Sequence, residues 1–462
     1  MEQVLPKEDR NPLATEKTSK LILKFAIPSI ISGLVNALYN IVDQIFIGQG
    51  VGVMGNAATN VAFPITTLCT ALALLYGVGS CSNFSLNLGA KKKDEAAKFA
   101  GNGVFLMLVS GLALAIIINI FLNPLMKAFG ASEQVLPLAL TYTKITSLGI
   151  PFMIFTVGFS TLIRSDGSPT YSMFCTLIGA ILNIILDPLF IFKFNMGISG
   201  AAWATVIGQF VSFIFAFSYL FRFKNMKLIK SYFIPNLNYI AKIATLGMAP
   251  CFNQLAMMLV QITMNNTLTY YGALSKYGSD IPLACVGVIS KVNIIYIALV
   301  IGTSQGCQPI MGYNYGAKNY ERVKKSFLQS FSVIMIISFL TFLCFQLFPR
   351  QIINIFGKGD ELYYEFGIKY FRIFMFFTFL NGIQPISSFL FTSIGKAKKG
   401  VVISLTRQII FLLPLIIIFP KFIGIDGVMY AGPIADFAAA ALSIFLLVKE
   451  IKSLNNKILM EK

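Results

Sequence analysis

Apolar stretches of twenty or more residues recur along almost the whole chain, and a stretch of that length and composition is what the hydrocarbon core of a bilayer accepts. Of the 462 residues, 56% are apolar and only 12% are charged, against about 25% charged in soluble domains. A water-soluble globule is excluded. Twelve candidate spans follow one another, at about 21–48, 57–80, 99–122, 141–163, 170–193 and 198–222, then 241–271, 282–310, 326–348, 366–394, 400–420 and 426–448. The expected class is therefore an all-α membrane protein, with both termini on one side.

The chain contains no histidine, which removes histidine-ligated zinc, histidine general bases and histidine triads. Its seven cysteines (Cys69, Cys81, Cys175, Cys251, Cys285, Cys307, Cys344) lie inside apolar stretches with no C-x-x-C pair, so they read as small buried hydrophobes. No phosphate-binding Gly-Lys-Ser/Thr loop is present. Nothing supports an enzyme, and no cofactor is expected.

The balance of 37 basic to 19 acidic residues would suggest nucleic acid in a soluble chain, but here its placement explains it. Twenty-six of the Lys and Arg fall on the side of the termini, nine on the other side, and two, Lys291 and Arg407, within spans. By the positive-inside rule both termini are cytoplasmic, in a multi-pass protein of the cell inner membrane. Basicity is then topology, with some attraction to anionic membrane lipids, and nucleic acid is not an expected partner. Residues 1–20, polar and lacking an apolar h-region or small-residue cleavage site, read as an exposed cytoplasmic tail.

Segments about 227 residues apart match in kind and order. Asn87-Leu-Gly89-Ala-Lys91 recurs as Asn314-Tyr-Gly316-Ala-Lys318, and Gly197-Ile-Ser-Gly200-Ala-Ala-Trp203-Ala204 recurs as Gly424-Ile-Asp-Gly427-Val-Met-Tyr430-Ala431. Arg164-Ser-Asp-Gly167 pairs more loosely with Thr392-Ser-Ile-Gly395. Six spans per half is an even number, so the halves run in the same direction, as parallel repeats related by an axis along the membrane normal. The expected organisation is a six-helix lobe at 21–222, a cytoplasmic linker at 223–240, a second six-helix lobe at 241–448 and a tail at 449–462, with a central cavity between the lobes. Such an interface is where a transporter holds its substrate and alternates access.

An acidic side chain at mid-membrane costs about 3 kcal/mol or more, so Asp43, Asp187 and Asp436 each need a reason. At 1.5 Å per residue, Asp43 and Asp187 lie roughly 28 and 26 Å along their helices from the cytoplasmic side, at one height in the outer half. Asn183 precedes Asp187 by four residues and shares its helix face. Thr205 reaches a comparable depth from outside, and Pro188 leaves the Ile184 carbonyl without its helical partner. One lobe thus gathers oxygen donors of the kind a hard cation prefers, suited to a proton or to Na⁺ at Asp43, Asn183, Asp187 and Thr205. Two carboxylates in an apolar lobe cannot both stay ionised cheaply, so one is placed to take up and release a proton. A hydrogen-bonded cluster that pins helices together is the alternative.

The second lobe is not a copy, because Asn265, Ile409 and Leu413 stand at the corresponding positions. Lys291 and Asp436, each about nine residues into spans that begin outside, are expected either to face one another as a buried pair or to touch substrate. A substrate cavity lined by Tyr39, Phe63, Met153, Phe155, Met173, Met257, Met258, Tyr296 and Met311 would hold a flat lipophilic cation by cation–π contact and adaptable packing.

Twelve spans in two parallel lobes with these motifs resemble the multidrug and toxic compound extrusion (MATE) family over residues 15 to 450. The resemblance rests on Pro28, Asp43 and Gly48, Asn87 to Lys91, Asn183-Ile-Ile-Leu-Asp187-Pro188 and Gly197 to Thr205. Gln308-Pro-Ile-Met-Gly312-Tyr-Asn-Tyr-Gly316-Ala-Lys318 is similar to the MepA-like bacterial subgroup in particular. It implies a monomeric secondary antiporter that exports small lipophilic cations in exchange for H⁺ or Na⁺. Asp43 and Asp187 would be its titrating or ion-binding acids, and Asn183 and Thr205 its polar ligands. Some members also carry second-lobe acids, where this chain has Met258 and Asn265. A flippase for a lipid-linked saccharide is the alternative, but its phosphates would call for a cavity rich in Arg and Lys, and only Lys291 and Arg407 lie within spans.

Overall fold

A computed structural model describes residues 11–356 and 359–461; the first ten residues of the expected tail lie outside the described residues. Eleven helices in it are long and apolar enough to cross a membrane, and a bent pair supplies a twelfth. The first six are α1 (Thr18–Gly50), α2 (Val53–Gly89), α3 (Lys93–Ile120), α4 (Leu136–Ser165), α5 (Pro169–Lys193) and α6 (Gly197–Phe221). The second six are α7 (Leu237–Ala273), α8 (Asp280–Gly316), α9 (Tyr320–Leu347), the bent α10 (Glu361–Phe374 with Thr378–Ser393), α11 (Ala397–Ile423) and α12 (Asp426–Met460). This is a multi-pass all-α membrane protein in two six-helix lobes.

The expected span at 366–394 is broken, with its two pieces inclined at 48°. A break inside a membrane leaves carbonyls that need donors, and neighbouring helices supply them. Gln346 on α9 donates to the Arg372 carbonyl at 3.3 Å, and the Tyr296 hydroxyl on α8 donates to the Thr378 carbonyl at 3.1 Å. Two π-helical stretches also interrupt regular winding, Leu189–Lys193 directly after Pro188 and Thr406–Leu412 directly before the Leu413-Pro414 pair. Pro188 and Pro414 each lack the amide that an α-helical ladder requires, and the wider turn accommodates its loss.

The repeat is visible in backbone conformation. Lys91 and Lys318, the last residues of the matched Asn-x-Gly-Ala-Lys motifs, have φ of 59° and 61°. The paired glycines agree as well, Gly167 and Gly395 at 87° and 79°, Gly197 and Gly424 at 57° and 63°. A left-handed turn costs a side chain roughly 1 kcal/mol or more, so its recurrence at matched positions reflects a conserved local fold within one chain.

The lobes meet through the halves of α1, α2, α7 and α8 nearest the termini. A Cβ on Gly89 would overlap the Tyr313 carbonyl, and one on Gly316 would overlap the Leu86 carbonyl, a reciprocal approach across a pseudo-twofold axis. Gly302 and Gly306 admit Ile30 and Ala26 of α1 in the same way, while Gly79 and Gly247 admit Ile243 and Leu75. Hydrogen bonds reinforce the seam: Gln308 to the Ser82 hydroxyl at 2.9 Å, Asn83 to the Lys242 carbonyl at 3.2 Å, and Arg164 to Gln305 at 3.3 Å. On the outer halves of the same helices Phe63, Gln261, Asn265 and Lys291 are exposed. The seam is closed on the side of the termini.

The expected linker and C-terminal tail are built into this side. The linker is held by Asp166, which accepts from the Lys224 and Asn225 amides, and by Asn102, which accepts from the Asn236 amide and donates to the Tyr232 carbonyl. Residues 449–461 extend α12, because Leu447 and Leu454 stay buried on one face and Glu450 binds Lys396 and Lys399.

Candidate functional site

In the first lobe, α1 packs along α5, and α5 along α6. That packing brings Asp43 of α1, Asn183 and Asp187 of α5, and Thr205 of α6 together. Asn183 donates to Asp187 Oδ1 and faces the Thr205 hydroxyl, both at 3.3 Å. The Asp43 and Asp187 carboxyls lie within hydrogen-bonding reach of one another. Asp187 is 0% exposed, Asn183 3% and Asp43 9%. Asp43 Oδ1, Asn183 Oδ1 and Asp187 Oδ2 are all buried without a hydrogen-bond donor.

Three orphaned acceptor oxygens in one small site are costly, since each buried unpaired polar group forfeits about 1–3 kcal/mol. A proton between the carboxyls removes like-charge repulsion and supplies a donor; a hard cation would accept the same oxygens. The donor set fits either. Among the described residues there is no cluster of three or more His, Cys, Asp or Glu of the kind that holds a resident metal.

A family model described as MatE matches residues 28–189 and 251–418, one stretch in each lobe. The chain belongs to the MatE family. Members are membrane transporters, not enzymes. Multidrug export protein MepA of Staphylococcus aureus (strain MRSA252) is 26% identical over 455 residues, covering 96% of both chains. MepA of Staphylococcus saprophyticus is 26% identical over 460 residues, covering 96% of this chain and 98% of that one. A MOP superfamily transporter from Pyrococcus furiosus has the same fold, with a TM-score of 0.88 at 24% identity, covering 96% of this chain and 98% of that one. A multidrug resistance MATE family transporter solved in an outward-facing conformation matches with the same TM-score, identity and coverage.

Around the four residues of this MatE protein stand two tyrosines. Tyr39, one turn before Asp43 on α1, lies near both carboxyls. Tyr142, near the start of α4, lies close to Thr205, Asp43 and Asp187. Sequence reading missed Tyr142. Its only signal was a polar-tipped aromatic at the outer edge of a span, which is unremarkable in any membrane protein.

The second lobe corrects the expected pair of Lys291 and Asp436. Asp436 instead accepts from Arg407 Nε at 2.6 Å, linking α12 to the π-helical stretch of α11. Lys291 is exposed and has no such partner among the described residues. Equal depth did not bring the two together because they occupy different helix faces: Lys291 lies seven residues from Ala298, which abuts Gly33 of α1, so it faces the first lobe.

Three expected cavity residues are instead packed in lobe interiors. Phe155 and Met311 are 0% exposed, and Tyr296 is 4% exposed with its hydroxyl paired to Ser338 and the Thr378 carbonyl. Met153 packs against the first-lobe core. Tyr39, Met173, Met257 and Met258 are half-buried, and Phe63 is exposed.

Proposed function

We propose that this protein is a secondary antiporter that exports lipophilic cationic compounds in exchange for H⁺ or Na⁺. The observation that carries the reading is the cluster of buried Asp43, Asn183 and Asp187 with half-buried Thr205, and its three unpaired oxygens. The relatives named multidrug export proteins support the kind of cargo. With the side of the termini cytoplasmic, as the basic residues favour, the closed seam faces the cytoplasm and the cleft opens outward.

Asp43 belongs to the helix that also forms the seam with α8. Neutralising the Asp43 and Asp187 pair therefore changes the packing of α1 against α5, and with it the relative stability of two lobe arrangements. Pro28 in α1 gives that helix a place to bend, because the carbonyl one turn earlier has no amide to hold it. The ion acts on one lobe while cargo sits between the two, so coupling passes through α1 and needs no shared ligand.

The test is ethidium transport in vesicles carrying wild type or Asp43→Asn, with a pH gradient and a Na⁺ gradient imposed separately. The reading expects one gradient to drive wild-type transport and the variant to lose it. Transport undiminished in Asp43→Asn would refute the coupling role.

A further inference from the structure

The cleft has a chemically distinct wall on the second lobe. Ala298 of α8 abuts Gly33 of α1 at the outer limit of the seam. Seven residues further out on each helix, two turns later and on the same line, stand Lys291 and Asn40. On α7 the line that starts at Gly247, packed on α2, reaches Gln261 after fourteen residues and Asn265 one turn later. All four side chains are exposed. By this register Lys291 stands level with Asn40, three residues or about 4.5 Å of helical rise before Asp43.

An ammonium within a span needs water or an anion. Lys291 has neither an ion pair nor a hydrogen bond among the described residues, and the second-lobe acid Asp436 is engaged by Arg407. Gln261 donates to Asn265 Oδ1 at 2.9 Å, which leaves the amide nitrogen of the exposed Asn265 as a donor. The facing lobe keeps Asp43 and Asp187 buried, and no ion pair joins either of them to Lys291 among the described residues.

We propose that Lys291, assisted by Asn265, is a specificity-determining residue that takes an anionic group of the cargo, so the preferred cargo is a lipophilic cation that also bears a carboxylate. This deepens the exporter reading and rests on it. A cargo with only positive charge meets repulsion from Lys291, whereas a zwitterion brings a carboxylate that pairs with it.

Rhodamine B and its ethyl ester form a matched pair, sharing one cationic ring system and differing in a free carboxylate. Equilibrium binding of both dyes is measured on the full chain in phosphatidylcholine nanodiscs, for wild type, Lys291→Met and Lys291→Arg. Wild type should favour the acid, Lys291→Met should lower the acid-to-ester affinity ratio about tenfold or more, and Lys291→Arg should keep it. The ratio is taken within one preparation, so partial misfolding does not imitate the effect. An unchanged ratio in Lys291→Met, with both dyes bound, overturns this inference and leaves the exporter standing. A wild type that binds neither dye overturns both. A preference that collapses when phosphatidylglycerol replaces part of the phosphatidylcholine assigns Lys291 to a lipid phosphate and also overturns the proposal.

Discussion

Arg407 and Asp436 form an ion pair at 2.6 Å between α11 and α12, with the aspartate side chain only 1% exposed. Asp436 Oδ2 has no donor of its own. The pair therefore closes one charge against another without fully satisfying either, and its two members depend on each other more than the lobe depends on the pair.

Breaking such a pair leaves a buried charge uncompensated, which costs about 3–5 kcal/mol, while replacing both partners by apolar groups is often neutral. Asp436→Leu and Arg407→Met should each lower the melting temperature of the detergent-solubilised protein clearly. The double variant should recover most of the loss. A loss in the double variant equal to the sum of the two single losses would show that the charges do not act as a pair.

Asp187→Asn should separate stability from transport. In the folded protein its carboxyl stands against that of Asp43 with an oxygen left bare, so an amide there removes repulsion and brings a donor. Thermal stability should hold or rise, while gradient-driven efflux falls by two orders of magnitude or more. A variant that melts earlier and still transports would reverse the assignment, making Asp187 a structural acid.

The number of spans and the cluster of Asp43, Asn183, Asp187 and Thr205 were legible because both rest on one-dimensional rules. Hydropathy counts spans, and helical rise compares depths along helices with clear ends. Facing is different, because it depends on how each helix is rotated against its neighbours. Lys291 and Asp436 have matching depth, yet Arg407 takes the aspartate because the π-helical stretch re-aims α11. The break in α10 was hidden for a related reason: the donors that make it tolerable, Gln346 and Tyr296, lie on other helices. Tyr142 belongs to a short helix, Leu136–Thr146, followed by a tight turn at Ser147–Gly149, and hydropathy merges both with the span behind them.

The linker should be as important as a span. Asp166 accepts from the Lys224 amide at 2.6 Å, from the Asn225 amide at 3.1 Å and side chain at 2.8 Å, and from the Tyr219 hydroxyl at 2.8 Å. Asp166→Ala strands these donors, two of them on the linker backbone. Limited trypsin digestion of the purified variant should cut at Lys224 and Lys227 at least several times faster than in wild type, with the lobes intact. Unaltered cleavage would mean that Asn102 alone holds the segment.

The reciprocal approach of Gly89 to Tyr313 and of Gly316 to Leu86 makes a sharper demand on conformation than on stability. Neither glycine leaves room for a Cβ while the seam is closed, because what it meets is backbone carbonyl, which cannot rotate away like a side chain. In an arrangement with the lobes parted on the termini side, the same positions have no opposing backbone. Gly316→Leu should therefore leave each lobe folded and act by disfavouring the closed seam. Spin labels placed on the outer ends of α1 and α7 should report a shorter distance in the variant than in wild type, as the lobes pivot to close there. Efflux should fall together with that shift. A Gly316→Leu protein with the wild-type distance distribution and full efflux would show that the seam opens and closes elsewhere than at these glycines.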